Sequence, residues 1–595
     1  MTIGFEFDPA HEAIRLIPTG FSTIEWDSFV RIISDYGDVS FDDDRSLCIP
    51  FKVFIGIRLE IARYIKNHGI TAEYSDRVRI MLKAANAKSY ASAIKAVDLS
   101  DHEVKEKLTI AGFTRVLTEN QMRNVRHLAP MPAGATFSVP GAGKTTEALA
   151  YFFCNATEKD HLLVVGPLSA MGAWEEQLQA CCPYSNYQFV RLRGGTKNVD
   201  RLLRDAPKFM LISYGQFATV SSLLKDFLTY HQVIMFLDES HRIKSGRSGV
   251  SPQEILNVSF LPEKKLIMSG TPCPQSISDL LPQFEFLYPE KHPDENEIQK
   301  LLQPIYVRTT KGQLGIPPIR QWKIPLEMTA LQKEVYKTLR SETKRQLAQI
   351  SDASRYSLRS IGKKIMKVIE FTSNPSLLAD DMDYIFDKRL GDLLSIDCGP
   401  KIEYACKRAR ELVAAGKKVI IWSQFVKNVL LITERLKDIG ADCIYGGVSS
   451  GDEDEEDTRE WKIKQFHENP EKMVLVLNPA AASEAISLHK VCHYAIYVDR
   501  SFNAAHYLQS EDRIHRLGIK ADEAPDIEIL ECRGTIDEVI DQRLRVKVET
   551  MAAALNDTSL NVEAIPYDID FSDDDLTSED VKAVIDYFFG DDDEE

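Results

Sequence analysis

The chain has 595 residues with 44% apolar composition, enough for about three or four domains with sizeable cores. No run of about 18 apolar residues occurs, and the opening MTIGFEFDPAHEAIRL carries acids where an export signal needs a basic and then an apolar stretch. A membrane span and secretion are therefore not expected, and the expected location is cytoplasmic. The formal charge of −17 excludes little: residues 564–595 carry a net −12 and the run DEDEED, Asp452 to Asp457, another −6, so the rest is close to neutral. Local rather than total charge attracts phosphate, and a nucleic-acid partner stays open. Ten cysteines without a C-x-x-C spacing fit reduced thiols better than zinc or a redox pair.

Residues 1–110 predict a small α+β accessory domain. The piece SLCIPFKVFIGI reads as a strand, and LEIARYIKNHGI and SDRVRIMLKAANA read as helices. The segment LTENQMRNVRHL predicts a helix just before the stretch GATFSVPGAGKTTEALA. That stretch follows the pattern G-x-x-x-x-G-K-[ST], with Ser138 where the first glycine should be. A short β-prone piece precedes it and a helical pattern follows, as a phosphate-binding loop requires. Gly141 and Gly143 let the backbone curl, Lys144 reaches phosphate, Thr145 offers a hydroxyl to Mg²⁺, and Thr146 completes the nucleotide set. Further on, HQVIMFLDESH predicts a buried strand ending in Asp238 and Glu239. Carboxylates at the end of a parallel strand suit Mg²⁺ binding by Asp238 and polarisation of water by Glu239.

Around these two pieces stand further blocks in a fixed order. They are VVGPLSAMGAWEEQ (164–177), LISYGQF (211–217), DESHRIKS (238–245), IMSGTPCPQSISDL (267–280), YVRTTKGQLGIPP (306–318), KVIIWSQF (418–425), NAAHYLQSEDRIHRLG (503–518) and GTIDEVIDQRL (534–544). Over roughly residues 111–550 the chain resembles the Swi/Snf-like branch of helicase superfamily two. The resemblance implies an α/β fold of two RecA-like parallel-sheet lobes, with a helical insertion between them. The expected domains are 1–110, 111–310, 311–398, 399–550 and an acidic tail at 551–595. It further implies an ATP hydrolase with ATP bound between the lobes, and Gln121 at the adenine edge. Arg513 and Arg516 would act on the γ-phosphate, and His241, Thr271 and Gln509 would couple nucleotide state to movement.

Two departures from the family pattern stand out. The usually glycine-rich block reads NPAAASEAISLH (478–489), and Ile519 stands where a glutamine is usual. Residues 320–395 lose the α/β alternation and predict two long helices, on which Arg355, Arg359, Lys363, Lys364 and Lys367 could line a phosphate track or an ordinary solvated face. The six consecutive acids read as an exposed loop, because a calcium loop needs glycine or asparagine punctuation. The tail is expected to lack structure apart from LTSEDVKAVIDYFFG, where Thr577 and Asp580 have capping-box spacing. Its charge could serve solubility or mimic DNA on the motor.

The resemblance implies a motor that is stimulated by double-stranded DNA and translocates without unwinding, reading backbone rather than sequence. The compact chain and the lack of a histone-reading segment point to a prokaryotic or viral system, with a nuclease as possible protein partner. Two other classes compete: an RNA- or single-strand-dependent helicase, and a regulatory subunit that uses ATP as a switch.

Overall fold

The computed structural model describes residues 1–595 except 9–12, 35–39, 42–44, 86–88, 349–354, 381–397, 450–454, 480–487, 501, 503–509, 517, 521–522, 556–577 and 590–595. It divides into two units, one of Met1–Cys273 with Ile277–Thr309 and one of Pro274–Ser276 with Thr310–Glu595.

In the first unit, β1 (Thr2–Asp8), β2 (Ala13–Thr19), β3 (Ser40–Phe41), β4 (Leu47–Pro50) and β5 (Thr71–Tyr74) form a sheet in the order β3-β4-β2-β1-β5. Helices Thr23–Ser34, Phe51–Asn67 and Asp76–Ala85 complete an α+β layer. The stretch read as one strand is a strand only to Pro50; Phe51–Asn67 is helix. Its β-branched and aromatic residues mislead, but Val53, Phe54, Ile57, Ile61 and Ile65 recur at helical spacing and are all buried, and period outweighs propensity.

The same unit carries a second sheet of seven strands: β6 (Ala133–Thr136), β7 (Asp160–Gly166), β8 (Phe189–Arg191), β9 (Phe209–Ser213), β10 (Gln232–Asp238), β11 (Lys264–Met268) and β12 (Tyr306–Val307). The order is β12-β6-β11-β10-β7-β9-β8 and every pairing is parallel. A parallel sheet is covered on both faces, which is why Val233–Leu237 reads as unbroken apolar sequence and lies fully buried. Strands β6, β11 and β10 are neighbours, so the loops leaving them meet at one edge.

The second unit contains a six-stranded parallel sheet, β13 (Arg320–Leu326), β14 (Val419–Trp422), β15 (Ala441–Ile444), β16 (Val474–Leu477), β17 (Tyr494–Tyr497) and β18 (Asp526–Cys532), in the order β13-β18-β17-β14-β16-β15. The insertion expected at 311–398 does not stand apart, because β13 is the edge strand of this sheet. Its alternating exposure and Pro325 suit an edge, and charged residues hid it from a search for apolar runs. The two insertion helices are Ala330–Ala348 and Arg355–Ser373, and the lobe closes with helix Ile536–Ala554. A tail helix, Ser578–Phe589, packs on the first insertion helix and on the closing helix.

Candidate functional site

Strand β6 does not stop at Thr136. The Phe137 N–H donates to the Val307 carbonyl at 2.9 Å and the Val139 N–H to the Thr309 carbonyl at 3.0 Å, so the glycine loop springs from a strand held on its β12 side. Gly141 and Gly143 take φ of +85° and +79°, the left-handed region glycine enters without penalty. A Cβ on Gly143 would come within 2.3 Å of Gln121 Nε2. The helix Lys144–Asn155 then begins without a side-chain cap, which leaves first-turn N–H groups facing the loop for an anion. Lys144 Nζ donates to the Ser138 carbonyl at 3.0 Å. Thr145 is half-buried at the rim. The Thr146 hydroxyl donates to Gln177 Oε1 at 3.0 Å, so what Thr146 can offer a phosphate is its backbone N–H.

Ser138, the residue that breaks the glycine pattern, is fully buried. Its hydroxyl oxygen accepts from the Thr309 N–H at 3.0 Å and from Thr136 Oγ1 at 3.2 Å. The serine therefore stitches the loop to residue 309, a contact glycine could not make. Gln121, expected at the adenine edge, lies against the glycine loop. Its Oε1 accepts from the Thr118 N–H at 3.0 Å in a capping box, and its Nε2 donates to the Ala142 and Gly143 carbonyls at 3.3 Å. One end of the amide caps its own helix and the other braces the loop.

One functional-looking residue escaped the sequence reading. Glu147 lies buried in the P-loop helix, where Asn124 Nδ2 donates to its Oε2 at 2.8 Å and to Thr309 Oγ1 at 3.1 Å. Burial pushes its carboxyl up to about 7, against the pull of Thr136, Asn124 and Lys144. The available signal was an acid on the helix face shared by Ala150 and Tyr151, both fully buried.

At the end of β10 both carboxylate oxygens of Asp238 are engaged: Trp174 Nε1 donates to Oδ2 at 2.9 Å and the Glu239 N–H to Oδ1 at 3.0 Å. Tyr214 Oη donates to the Asp238 carbonyl at 2.8 Å. The tryptophan and tyrosine blocks thus have a physical task, the one fixing the Asp238 carboxylate and the other its main chain. Burial, and then the neighbouring Glu239, push Asp238 up to about 6. Glu239 sits at φ 50°, ψ 55°, a conformation uncommon outside glycine and asparagine and one that clusters at functional sites. Its side chain stays 30% exposed, with Oε2 at 3.4 Å from His241 Nδ1. His241 is pushed down to about 3, by burial first and then by Arg242, Lys244 and Lys144, so its ring is neutral at ordinary pH. Ser269 Oγ lies 3.0 Å from His241 Nδ1 and accepts from the Thr271 N–H at 3.1 Å. Thr271 Oγ1 is buried without a hydrogen-bond partner among the described residues. A Cβ on Gly270 would meet Pro140 Cδ at 2.8 Å, so the β11 loop is fitted against the phosphate loop. Lys144, Asp238, Glu239, His241 and Thr271 thus belong to loops at one edge of the sheet. The donors present, a carboxylate and a threonine hydroxyl, are hard oxygens that fit Mg²⁺, and the loop where a Cβ has no room fits phosphate.

The second unit holds the arginine block. Arg513 is buried and its carbonyl accepts from the Leu488 N–H at 2.9 Å; Arg516 is half-buried. Between them and β13 lies a charged cluster. Lys311 Nζ is 3.0 Å from Glu511 Oε1, 2.7 Å from Asp512 Oδ1 and 2.9 Å from His515 Nδ1. Burial opposes its charge, yet Asp512 and Glu511 hold the Lys311 ammonium well above its ordinary value. His515 Nε2 lies 2.6 Å from the Pro317 carbonyl, and Gln321 Nε2 donates to Glu511 Oε2 at 3.3 Å. Lys311 and Pro317 of the IPP block therefore brace the arginine block of their own unit, a pairing invisible in the linear motif. Gln509, Arg355 and Arg359 side chains and most of NPAAASEAISLH lie outside the described residues.

Comparison with known proteins agrees with this layout. The chain matches the family model of the SNF2-related domain over residues 131–297 and that of the helicase conserved C-terminal domain over residues 401–518. It is 25% identical over 407 residues to the CHD3-type chromatin-remodeling factor CHR7 of Arabidopsis thaliana, covering 64% of this chain and 32% of that protein. To the ISWI chromatin-remodeling complex ATPase CHR11 of the same plant it is 25% identical over 494 residues, 75% of this chain and 45% of that one. To the DNA annealing helicase and endonuclease ZRANB3 of Bos taurus it is 23% identical over 438 residues, covering 71% and 39%. It thus spans less than half the length of these relatives. Among solved structures, the Sulfolobus solfataricus SWI2/SNF2 ATPase core in complex with dsDNA aligns with 75% of this chain and 94% of its own, at 20% identity and a TM-score of 0.33. Both domain models lie in the expected order, the SNF2-related domain before the helicase conserved C-terminal domain, and this order supports the resemblance to the Swi/Snf-like branch of helicase superfamily two.

Proposed function

We propose that this chain hydrolyses ATP with Mg²⁺ and uses the energy to translocate on double-stranded DNA, as the motor of a DNA-processing or DNA-defence system. The observation that carries the reading is the convergence of Lys144, Asp238 and Glu239 on the edge formed by β6, β11 and β10. The relatives named as chromatin-remodelling ATPases and a DNA annealing helicase favour DNA over RNA.

In this reading the two left-handed glycines and the uncapped helix start hold the phosphates, and Lys144 exchanges the Ser138 carbonyl for a phosphate oxygen. Asp238 and Thr145 would hold the metal, which when bound supplies positive charge for the phosphoryl group. Glu239 is suited to accept a proton from the attacking water, because its carboxylate is more accessible than that of Asp238. The neutral His241 ring joins Glu239 to the Ser269–Thr271 loop, so a change at the water position reaches that loop by contact. Arg513 and Arg516 add charge to the transferring phosphoryl; such guanidinium groups contribute about 10³–10⁵ in rate in related chemistry.

Translocation and unwinding separate in two assays. ATP-dependent displacement of a third strand from a triplex is expected, with no displacement of a strand from the underlying duplex. Robust duplex opening would contradict the translocase reading, and stimulation by RNA alone would replace it with the RNA-dependent class.

A further inference from the structure

The phosphate loop stands on two buried residues that belong to no motif, Ser138 ahead of its glycines and Glu147 in the first turn of the helix behind them. A chain of buried side chains joins the two. Ser138 Oγ accepts from the Thr309 N–H at 3.0 Å, and the Thr309 carbonyl accepts from the Val139 N–H at 3.0 Å. Thr309 thus holds the entry of the loop by both of its main-chain groups. Its Oγ1 accepts from Asn124 Nδ2 at 3.1 Å, and the same nitrogen donates to Glu147 Oε2 at 2.8 Å. An amide nitrogen carries two hydrogens. Here one serves the entry of the loop, through Thr309, and the other its exit.

Asn124 sits on the helix Glu119–Leu128, outside the loop. Its Oδ1 accepts from Arg123 Nε at 3.0 Å and Nη2 at 2.9 Å, and Arg123 Nη2 also donates to the Arg308 carbonyl at 3.0 Å. The amide therefore has one orientation: turned over, it would set its oxygen against Glu147 and its N–H groups against a guanidinium. Asparagine is a poor residue for a helix interior, and these bonds offset that cost. Asn124 and Thr309 are 0% and 1% exposed, so water does not replace a severed bond there. Between the two anchored ends lie Gly141 and Gly143, whose wide backbone freedom leaves the shape of the loop to its anchors. All these residues belong to the first unit.

We propose that Asn124 is a positioning residue for the nucleotide phosphates, tying the entry of the loop at Ser138, through Thr309, to its exit at Glu147. The inference rests on the nucleotide-binding part of the reading above and needs only the first unit. Asn124 touches no ligand itself; it fixes the distance across which the loop N–H groups and Lys144 face a phosphate.

The test uses the full-length chain and reads ATP affinity, as displacement of a fluorescent ADP analogue, well below the thermal midpoint of each variant. Thr309→Val removes Oγ1 and keeps both main-chain bonds; Kd is expected to rise about tenfold. Thr309→Ser keeps the oxygen and is expected to bind as the wild type does. Equal Kd values for the valine and serine variants would overturn the proposal. Asn124→Leu should weaken binding as much as Thr309→Val, and the two together little more than either alone. A full second loss in the double variant would overturn the route through Thr309. Should Asn124→Leu fail to fold, the comparison of valine with serine decides by itself. Lowered midpoints with unchanged Kd would reduce the network to a structural role and overturn the inference. If the unaltered chain binds no ATP, the functional reading itself falls; a binding wild type with unaffected variants sinks only this inference.

Discussion

The first unit positions its charged groups mainly by backbone geometry, whereas the second positions them by ion pairs between segments far apart in the chain. Lys144 stands at the start of a helix set by two left-handed glycines, and Glu239 occupies a left-handed position that aims it outward. The described part of the arginine block relies less on such a device, its left-handed glycine being Gly518, after both arginines. It is braced by Lys311, 200 residues away in sequence from Glu511, and ahead of it Arg500 and the Phe502 carbonyl are held by Asp541 and Lys547 of the closing helix. A backbone-built site survives loss of a surface charge and fails with a change of φ. A site built on buried ion pairs fails when one partner is removed, because the other is left charged in a poor solvent.

The largest effect expected from breaking either side is on catalysis. Lys144→Ala or Glu239→Gln should lower kcat by about 10³-fold or more with the fold intact, as for removal of charge-stabilising or proton-accepting groups; circular dichroism and single-turnover hydrolysis check both halves. Retention of even a tenth of the rate in Glu239→Gln would move the general base elsewhere.

Next in size is Lys311→Met. It strands Glu511 and Asp512 and should cost about 3–5 kcal/mol of second-unit stability, read as a lowered denaturation midpoint, whereas breaking an exposed pair such as Arg410 with Asp438 should leave the midpoint close to that of the wild type. Equal losses at the two sites would erase the contrast between buried and surface charge.

The P-loop network gives a pH signature of about 3 kcal/mol. Glu147 is raised by burial from 4.5 to about 7, so the unfolded chain releases its proton first. The stability tied to its protonated form is complete below about 4.5 and is lost as pH rises through 7. Glu147→Gln removes that loss. Denaturant titrations at several pH values should show the wild type falling behind the variant between pH 5 and 8, and parallel curves would mean that Glu147 is neutralised by other means.

Smallest, and opposite to what motif matching suggests, is Ser138→Gly. It makes the loop conform to the G-x-x-x-x-G-K-[ST] pattern but orphans the Thr309 N–H, at about 1–3 kcal/mol. A more stable glycine variant would show the serine to be dispensable.

These differences also explain what could be read beforehand. The two parallel-sheet lobes were legible because buried parallel strands such as Val233–Leu237 and Val419–Trp422 are continuous apolar runs, and the chemistry of a phosphate loop needs adjacent residues. Strand β13 was missed because an edge strand tolerates Arg320, Gln321 and Lys323. The helix from Phe51 was misread because its residues carry strand propensities at helical spacing. The bracing of Asp238 by Trp174 and Tyr214, and of the arginine block by Lys311, was not legible: the blocks were present in order, but which side chains meet is decided by sheet order. The tail helix was legible in LTSEDVKAVIDYFFG, while the pairing of Asp580 with Arg543 and Lys547 was not, since its partners lie on another helix.

Steady-state ATP hydrolysis by the full-length chain, with no polymer, duplex DNA, single-stranded DNA or RNA and with Glu239→Gln as the blank, tests the central claim most directly. The account predicts strong stimulation by duplex DNA that is abolished in the variant. Hydrolysis absent on every polymer, or present undiminished in the variant, would contradict it.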